Sequence, residues 1–240
     1  MDQFTLISGA PYSCGGFLVY PPRLDDIRGI GYEQYQMFLS IFLMTKEDVL
    51  QMLEIDPSAA GEVEFDILQL ITMIPQLRDA LLRALSFFMH VSVTYDEEIG
   101  YLIEETGDGI PLRTIWTIRR AILKFCYVND ESDIEPPTFK NEKAREIWEK
   151  IQKHKAAARK QKRSGHGDGS MDLPNLIGAV CAYSSTYSLL NVWDLTVYQF
   201  YDQFARLDNR IQVDVYGQRW AAWGKDDFDF SIWRKALNQS

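Results

Sequence analysis

The feature that most constrains the fold is a run of aromatic and aliphatic residues between Tyr187 and Leu207. Apolar side chains recur there at steps of three and four residues, the spacing of an α-helix with one buried face. At about 100° per residue they occupy an arc of about 100°. They are Leu190, Trp193, Val197, Phe200, Tyr201 and Phe204. The pattern therefore predicts a helix over residues 187–207 that packs into a core.

Two apolar residues, Leu195 and Tyr198, interrupt the polar side of this predicted helix. A core helix with two neighbours would bury this second flank, and the alternative is that the flank docks onto another protein chain. Aromatic residues are dense in this run and in the tryptophan-rich segment after it, and aromatic side chains are enriched at protein interfaces. The candidate partner-binding residues are therefore Trp193, Leu195, Tyr198, Phe200, Tyr201, Phe204, Trp220 and Trp223.

The rest of the chain predicts a mainly α protein with a small β-hairpin, which is the α+β class. Apolar periodicity predicts helices over residues 32–44, 46–55, 63–89 with a break at Pro75, 112–127, 175–183, 216–223 and 228–237. Alternating residues over 91–104 predict the hairpin, and residues 17–20 predict a short strand that could pair with it. The glycine- and proline-rich residues 1–20 otherwise predict an irregular arm.

Charge divides the chain. Its net charge is −9, yet residues 138–165 carry ten basic and only three acidic side chains. The glycine-rich segment Ser164–Ser170 follows, with the composition of a flexible linker. These shifts predict a helical N-terminal domain with the hairpin over residues 1–137 and a basic helix with a Gly linker over 138–170. A small, aromatic-rich helical C-terminal domain is predicted over 171–240.

No pattern in the sequence is typical of an enzyme. It has no nucleophile elbow, no phosphate-binding Gly-Lys-Ser/Thr loop and no dinucleotide fingerprint. The three cysteines, Cys14, Cys126 and Cys181, are far apart, and no His or Cys pair has metal-ligand spacing. We therefore predict a protein without catalytic activity, cofactor or metal, with its thiols reduced.

The sequence also bears on location and on nucleic acids. It begins without the basic and apolar regions of a signal peptide, and no apolar run reaches the roughly 18 residues that span a bilayer. We expect a cytoplasmic protein that does not bind membranes. The basic run Lys150–Arg163 could neutralise phosphates, but no aromatic residues are interleaved beyond Trp148 and most of the chain is acidic. These features argue against nucleic acid as a partner.

The segment Asn191–Phe204, which reads Asn-Val-Trp-Asp-Leu-Thr-Val-Tyr-Gln-Phe-Tyr-Asp-Gln-Phe, resembles a segment of tail assembly chaperone-type proteins of phages and prophages of Gram-positive bacteria. The preceding order of hairpin, helix and basic helix is also similar, so that the resemblance covers residues 91–240. It implies a non-enzymatic protein of the host cell cytoplasm that binds the tape-measure protein and aids assembly of tail-tube subunits. Self-association is compatible with it.

Two other functions remain open from the sequence. A structural tail or baseplate component of the virion would use the same aromatic residues permanently. A small nucleic-acid-binding regulator would instead use the basic run Lys150–Arg163.

Overall fold

The computed structural model describes residues 1–53, 66–128 and 172–224, together with residues 229 and 231. By their contacts the residues group into two units. The first combines Met1–Asn129 with Trp193–Gln203, and the second combines Asp130–Val192 with Phe204–Ser240. The predicted domain boundaries at residues 137 and 170 stay predictions. The predicted basic helix and Gly linker over 138–170 lie outside the described residues, and so does the predicted helix over 228–237 apart from residues 229 and 231.

The first unit is mainly helical, with two short antiparallel strand pairs. Its helices are α1 (Gln3–Ser8), α2 (Leu24–Ile30), α3 (Tyr32–Leu43), α4 (Lys46–Met52), α5 (Ile67–Met73), α6 (Pro75–Met89) and α7 (Leu112–Phe125). Its strands are β1 (Tyr12–Cys14), β2 (Phe17–Val19), β3 (Val93–Asp96) and β4 (Gly100–Ile103). The predicted α+β class is confirmed, and so are the helices predicted over residues 32–44, 46–55, 63–89 and 112–127 as far as the described residues reach. Residues 54–55 and 63–65 of these predictions lie outside the described residues.

The core of the first unit forms around α6. This helix packs against α3, α5, β2 and β3, while α7 packs against β1, β2 and α3. Apolar residues at steps of three and four bring one face of each helix inward, as the sequence predicts. The fully buried side chains include Leu81, Leu85 and Phe88 of α6 and Ile115, Ile118 and Ile122 of α7.

Local signals set several helix boundaries. The Thr45 side chain accepts a hydrogen bond from the Asp48 main-chain N–H, and the Asp48 carboxylate accepts one from the main-chain N–H of Thr45. This reciprocal pair satisfies donors that the first turn of α4 leaves open. Pro75 occupies the start of α6, where a proline costs no hydrogen bond. The predicted N-cap at Thr45 and the predicted break at Pro75 are both confirmed.

The two hairpins are separate sheets. β1 pairs with β2 in the register Tyr12↔Val19, and Gly15 and Gly16 between them have φ angles of 59° and 95°. Two positive φ angles in a two-residue loop suit the twist of a hairpin, and glycine adopts them without strain. The predicted hairpin β3–β4 is confirmed. The predicted pairing of residues 17–20 with it is wrong, since β2 finds its partner only a turn away.

The N-terminal arm is also more regular than predicted. Residues 3–8 form α1, because the Asp2 carboxylate accepts a hydrogen bond from Thr5 N at 2.7 Å and caps the first turn. Gly9 ends the helix with a φ angle of 69°. The glycines and prolines of this region therefore mark the ends of short elements, and the prediction of an irregular arm is wrong for residues 3–8.

The second unit contains α8 (Leu173–Tyr183) and most of α9 (Val197–Trp223). The 3₁₀ turn Val192–Asp194 begins at the last residue of this part of the second unit and continues into the first unit. Asp172 caps α8 by accepting a hydrogen bond from Asn175 N at 3.0 Å. The predicted helix over residues 175–183 is confirmed, and the predicted helix over 216–223 is the last part of α9. The first residues of α9, up to Gln203, belong to the first unit.

The predicted helix over residues 187–207 is wrong in its first half. Side chains there bond the main chain locally: Asn191 Oδ1 accepts from Ser188 N at 2.8 Å, and Asn191 Nδ2 donates to Thr186 O at 3.0 Å. Such bonds offer the backbone an alternative to the helix. Leu190, predicted to be buried, is 93% exposed, and the helix begins only at Val197.

Candidate protein-interaction site

The first of the residues predicted to bind a partner lie in residues 193–203, which belong to the first unit. We call residues 193–203 the docked segment. Its main chain is tied to the loop before α2 by two hydrogen bonds. Leu24 N donates to Leu195 O at 2.9 Å, and Val197 N donates to Pro22 O at 2.9 Å. These bonds flank an isolated antiparallel bridge between Arg23 and Thr196. The docked segment therefore attaches partly through backbone contacts.

A capping box starts helix α9 within the docked segment. Thr196 Oγ1 accepts from Gln199 N at 3.2 Å, and Gln199 Oε1 accepts from Thr196 N at 2.9 Å. The side-chain amide nitrogen of Gln199, Nε2, donates a further hydrogen bond of 2.8 Å to Ile7 O at the end of α1. The Thr-x-x-Gln spacing is a signal that the sequence contains at residues 196–199 and that predicts a helix start there. The prediction of a longer helix overlooked it.

Aromatic packing holds the first turns of α9. Phe200 is fully buried and Tyr198 is 3% exposed. The ring of Tyr127, just after α7, lies 5.4 Å from the ring centroid of Tyr198 and 5.4 Å from that of Tyr201, and it stacks on Tyr201. Such ring pairs contribute about 0.5–1.5 kcal/mol beyond the area they bury. Tyr198 and Phe200 thus belong to the core of the first unit.

Trp193 and Leu195 precede the helix, and both are half-buried. The guanidinium carbon of Arg28 lies 5.1 Å from the ring centroid of Trp193, within range of a cation–π interaction. Leu195 sits in the link between the 3₁₀ turn and α9. The prediction that Leu195 and Trp193 occupy opposite sides of one helix is wrong, because neither residue is on α9.

The later residues of α9 have a different environment. Phe204 is half-buried, whereas Trp220 is 44% exposed and Trp223 is 69% exposed. Tyr216 is 49% exposed. These three aromatic residues are spaced i, i+4, i+7 and fall within an arc of about 60° at about 100° per residue. We call them the aromatic surface.

The eight predicted partner-binding residues thus divide by location. Five of them, Trp193, Leu195, Tyr198, Phe200 and Tyr201, lie in the docked segment within the first unit. Phe204 is the first α9 residue of the second unit, and Trp220 and Trp223 form the exposed aromatic surface with Tyr216. Of the eight predicted residues, Trp220 and Trp223 are the two whose side chains are exposed to solvent.

The titratable groups of the described residues that shift strongly are buried. Burial raises the pKa of the Cys126 thiol to about 12 and raises the pKa of the Tyr35 hydroxyl well above its usual value. Cys126 is 3% exposed and Tyr35 is also 3% exposed. A protonated, buried thiol is a poor nucleophile. Within residues 1–53, 66–128 and 172–224, no cluster of three or more His, Cys, Asp or Glu side chains has the arrangement to hold a metal ion.

A helix that crosses a bilayer needs about 20 mainly apolar residues. Among the described residues, no helix is both long enough and apolar enough to cross a membrane.

A known family model matches the C-terminal part of the chain. Residues 159–238 match the family model described as the YomV second domain, and YomV is a Bacillus prophage protein. This part of the chain is similar to a prophage domain. The match covers about a third of the chain and includes both the docked segment and the aromatic surface. It confirms the resemblance to phage proteins at the level of a phage-associated domain. No curated protein and no solved structure matches the chain.

Proposed function

We propose that this protein is a non-enzymatic tail assembly chaperone of a phage or prophage, which binds the tape-measure protein in the host cytoplasm and aids assembly of tail-tube subunits. One observation carries the proposal. The aromatic surface, Tyr216, Trp220 and Trp223, is exposed on a helix that lies within the residues similar to a prophage domain. Tryptophan and tyrosine dominate the binding free energy of many protein interfaces, so their exposure supports a partner-binding role.

The geometry of the aromatic surface suits a helical partner. Its residues follow the i, i+4, i+7 spacing by which one helix packs along another. Tape-measure proteins implied by the resemblance are long and helical, and a chaperone would cover their apolar face until the tail-tube subunits arrive. The docked segment supports this assignment indirectly, because it holds the start of α9 on the first unit.

A binding measurement tests the proposal. The full-length protein is co-expressed with the tape-measure protein of the same phage, and the affinity is measured with purified components. The variant Trp220→Ala/Trp223→Ala should bind roughly tenfold or more weakly, because truncation of aromatic anchors typically costs about 2 kcal/mol or more. Leu190→Ala is the matched control, since Leu190 is a 93% exposed apolar residue outside α9. Equal binding by the double variant, or no binding by the wild type, would contradict the proposal.

Mass spectrometry of purified phage particles separates the chaperone from a structural component. A chaperone leaves the assembled tail and should be absent from the particles. If the protein is present in the particles at the copy number of a tail or baseplate subunit, the chaperone assignment is contradicted and a structural virion component is favoured. A salt-dependent shift of RNA or DNA in a gel would instead favour a nucleic-acid-binding regulator.

A further inference from the structure

The distal part of α9 carries a stripe of exposed residues that is distinct from the aromatic surface. The stripe consists of Asp208, Gln212, Val215, Arg219 and Ala222, all of which are exposed. They alternate steps of four and three residues and fall within an arc of about 80° at about 100° per residue. This is the spacing at which two helices pack along a common seam. We call these five residues the heptad stripe.

The heptad stripe is mainly polar, with Val215 at its centre and Ala222 at its C-terminal end. Val215 is 58% exposed in the middle of the stripe. Tyr216 and Trp223 flank it and are 49% and 69% exposed. Isolated exposed apolar residues are ordinary, but here Val215, Tyr216, Ala222 and Trp223 lie close together along about two turns of the helix. The stripe therefore offers a surface that a second helix can cover.

The two charged residues of the heptad stripe indicate which helix can cover it. An acidic residue, Asp208, lies toward one end of the stripe and a basic residue, Arg219, toward the other. The two are equidistant from the midpoint between Val213 and Asp214, and so are Gln212 and Val215. When two identical helices pack antiparallel about a two-fold axis, each contact between two positions occurs twice. With the axis at this midpoint, Asp208 faces Arg219 of the partner subunit, and Arg219 faces Asp208 of the partner subunit.

We propose that two copies of this chain associate through the heptad stripe of α9 in an antiparallel arrangement. A parallel arrangement would place Asp208 against its own copy and Arg219 against its own copy, and like charges in contact repel. An apolar helix of another protein would leave both charges without a partner as they lose water. The two Asp–Arg contacts therefore favour a second copy of this chain as the partner, and favour the antiparallel arrangement of the two helices. Asp208 is also oriented along the stripe by Gln212, whose Nε2 donates to its Oδ2 at 2.8 Å.

The seam has few large apolar residues, and exposed ion pairs contribute little free energy, so the dimer should be reversible. The association should also weaken as salt is added, because ions screen charges near the protein surface. Trp220 lies about 120° around the helix from Asp208, so that its role in binding a different protein is separable from self-association.

Charge reversal tests the proposal in the full-length protein by sedimentation equilibrium over a dilution series. Wild type should dimerise. Asp208→Arg and Arg219→Asp should each dissociate roughly tenfold or more readily, because each places like charges at both contacts. When the two single variants are mixed, they should form a heterodimer, since one chain then carries Arg at both positions and the other Asp at both. The double variant Asp208→Arg/Arg219→Asp should dimerise like wild type.

The controls address folding and the separate role of the aromatic surface. Asp214→Arg changes a charge about 120° around α9 from Asp208, outside the heptad stripe, and should leave the dimer intact. Recovery in the mixture shows that neither single variant has failed to fold. Trp220→Ala should dimerise normally even if it no longer binds the tape-measure protein. A result against the proposed function can therefore be told apart from a result against the dimer. A monomeric wild type, single variants that dimerise normally, or a mixture that stays monomeric would each overturn the proposal.

Discussion

Gln199 Nε2 donates a hydrogen bond to the main-chain oxygen of Ile7 at 2.8 Å, and so joins helix α9 to the end of α1 across nearly the whole chain. The approach at this point is close. A Cβ atom at Gly9 would lie 3.1 Å from Gln199 Nε2 and 3.2 Å from a methyl carbon of Thr196. Gly9 also has a φ angle of 69°, which an L residue rarely adopts. The first unit is thus completed by a segment whose sequence lies in the C-terminal third.

Gln199→Ala should destabilise the protein. The substitution removes the capping-box acceptor for Thr196 N and the donor to Ile7 O, and each lost hydrogen bond costs about 0.5–1.5 kcal/mol. We expect a decrease of about 1–3 kcal/mol in the free energy of unfolding, measured with urea. Gln218→Ala, at an exposed glutamine of the same helix, is the control and should change it by less than about 0.5 kcal/mol. Equal stability of both variants would show that the tie to Ile7 contributes nothing.

The elements with strong local signals could be predicted from the sequence. The period of apolar residues located α3, α6 and α7, Thr45 and Pro75 marked two helix starts, and alternation located β3 and β4. Contacts between distant residues could not be predicted this way. Nothing in the local pattern of residues 187–197 shows that Leu195 O will accept a hydrogen bond from Leu24 N, or that Val197 N will donate one to Pro22 O.

The candidate site was predicted only in part, again because a local pattern does not show contacts between distant residues. An apolar spacing of three and four indicates which residues can share one face, but not whether a core or solvent will meet that face. Phe200 and Trp220 are both aromatic residues of α9, yet Phe200 is fully buried and Trp220 is 44% exposed. The difference arises because only the first turns of the helix pack in the first unit.

A second prediction concerns Asp66, whose two carboxylate oxygens have different partners. Oδ1 accepts from Leu68 N and caps α5, while Oδ2 accepts from Trp116 Nε1 of α7 at 2.8 Å. Asp66→Ala should lower the free energy of unfolding by about 1.5–3 kcal/mol, because it removes both the cap and the link to α7. Trp116→Phe removes only the link and should cost less.

A double-mutant cycle isolates the link between Asp66 and Trp116. The two substitutions together should cost less than the sum of their separate effects, by about 0.5–1.5 kcal/mol, because the hydrogen bond can be lost only once. Strict additivity would mean that the two side chains do not interact in solution.

The third prediction concerns the thiols. Burial raises the pKa of Cys14, and it raises the pKa of Cys126 to about 12 from the ordinary value of 9.0. A raised pKa leaves less thiolate at any given pH, and the thiolate is the form that reacts. Burial raises the pKa of Cys181 as well, but Cys181 is only half-buried whereas the other two thiols are buried. At about pH 8 an alkylating reagent should therefore reach and label Cys181 faster than the other two cysteines. Mass spectrometry of peptides measures each rate, and the unfolded protein in urea should label at all three positions. Rapid native labelling of Cys126 would contradict its burial.

The last prediction compares two residues that the apolar period of residues 187–207 treats alike. Phe200 is fully buried in the first unit, whereas Leu190 precedes α9 and is 93% exposed. Phe200→Ala should therefore lower the free energy of unfolding by about 3–5 kcal/mol, through lost burial and the cavity that remains. Leu190→Ala should change it by less than about 0.5 kcal/mol. Trp193→Ala should have an intermediate effect on the free energy of unfolding, because its ring is half-buried and packs against the guanidinium of Arg28. Denaturation by urea ranks the three variants. A large effect of Leu190→Ala would mean that residues 187–196 continue the helix and that α9 begins earlier than Val197.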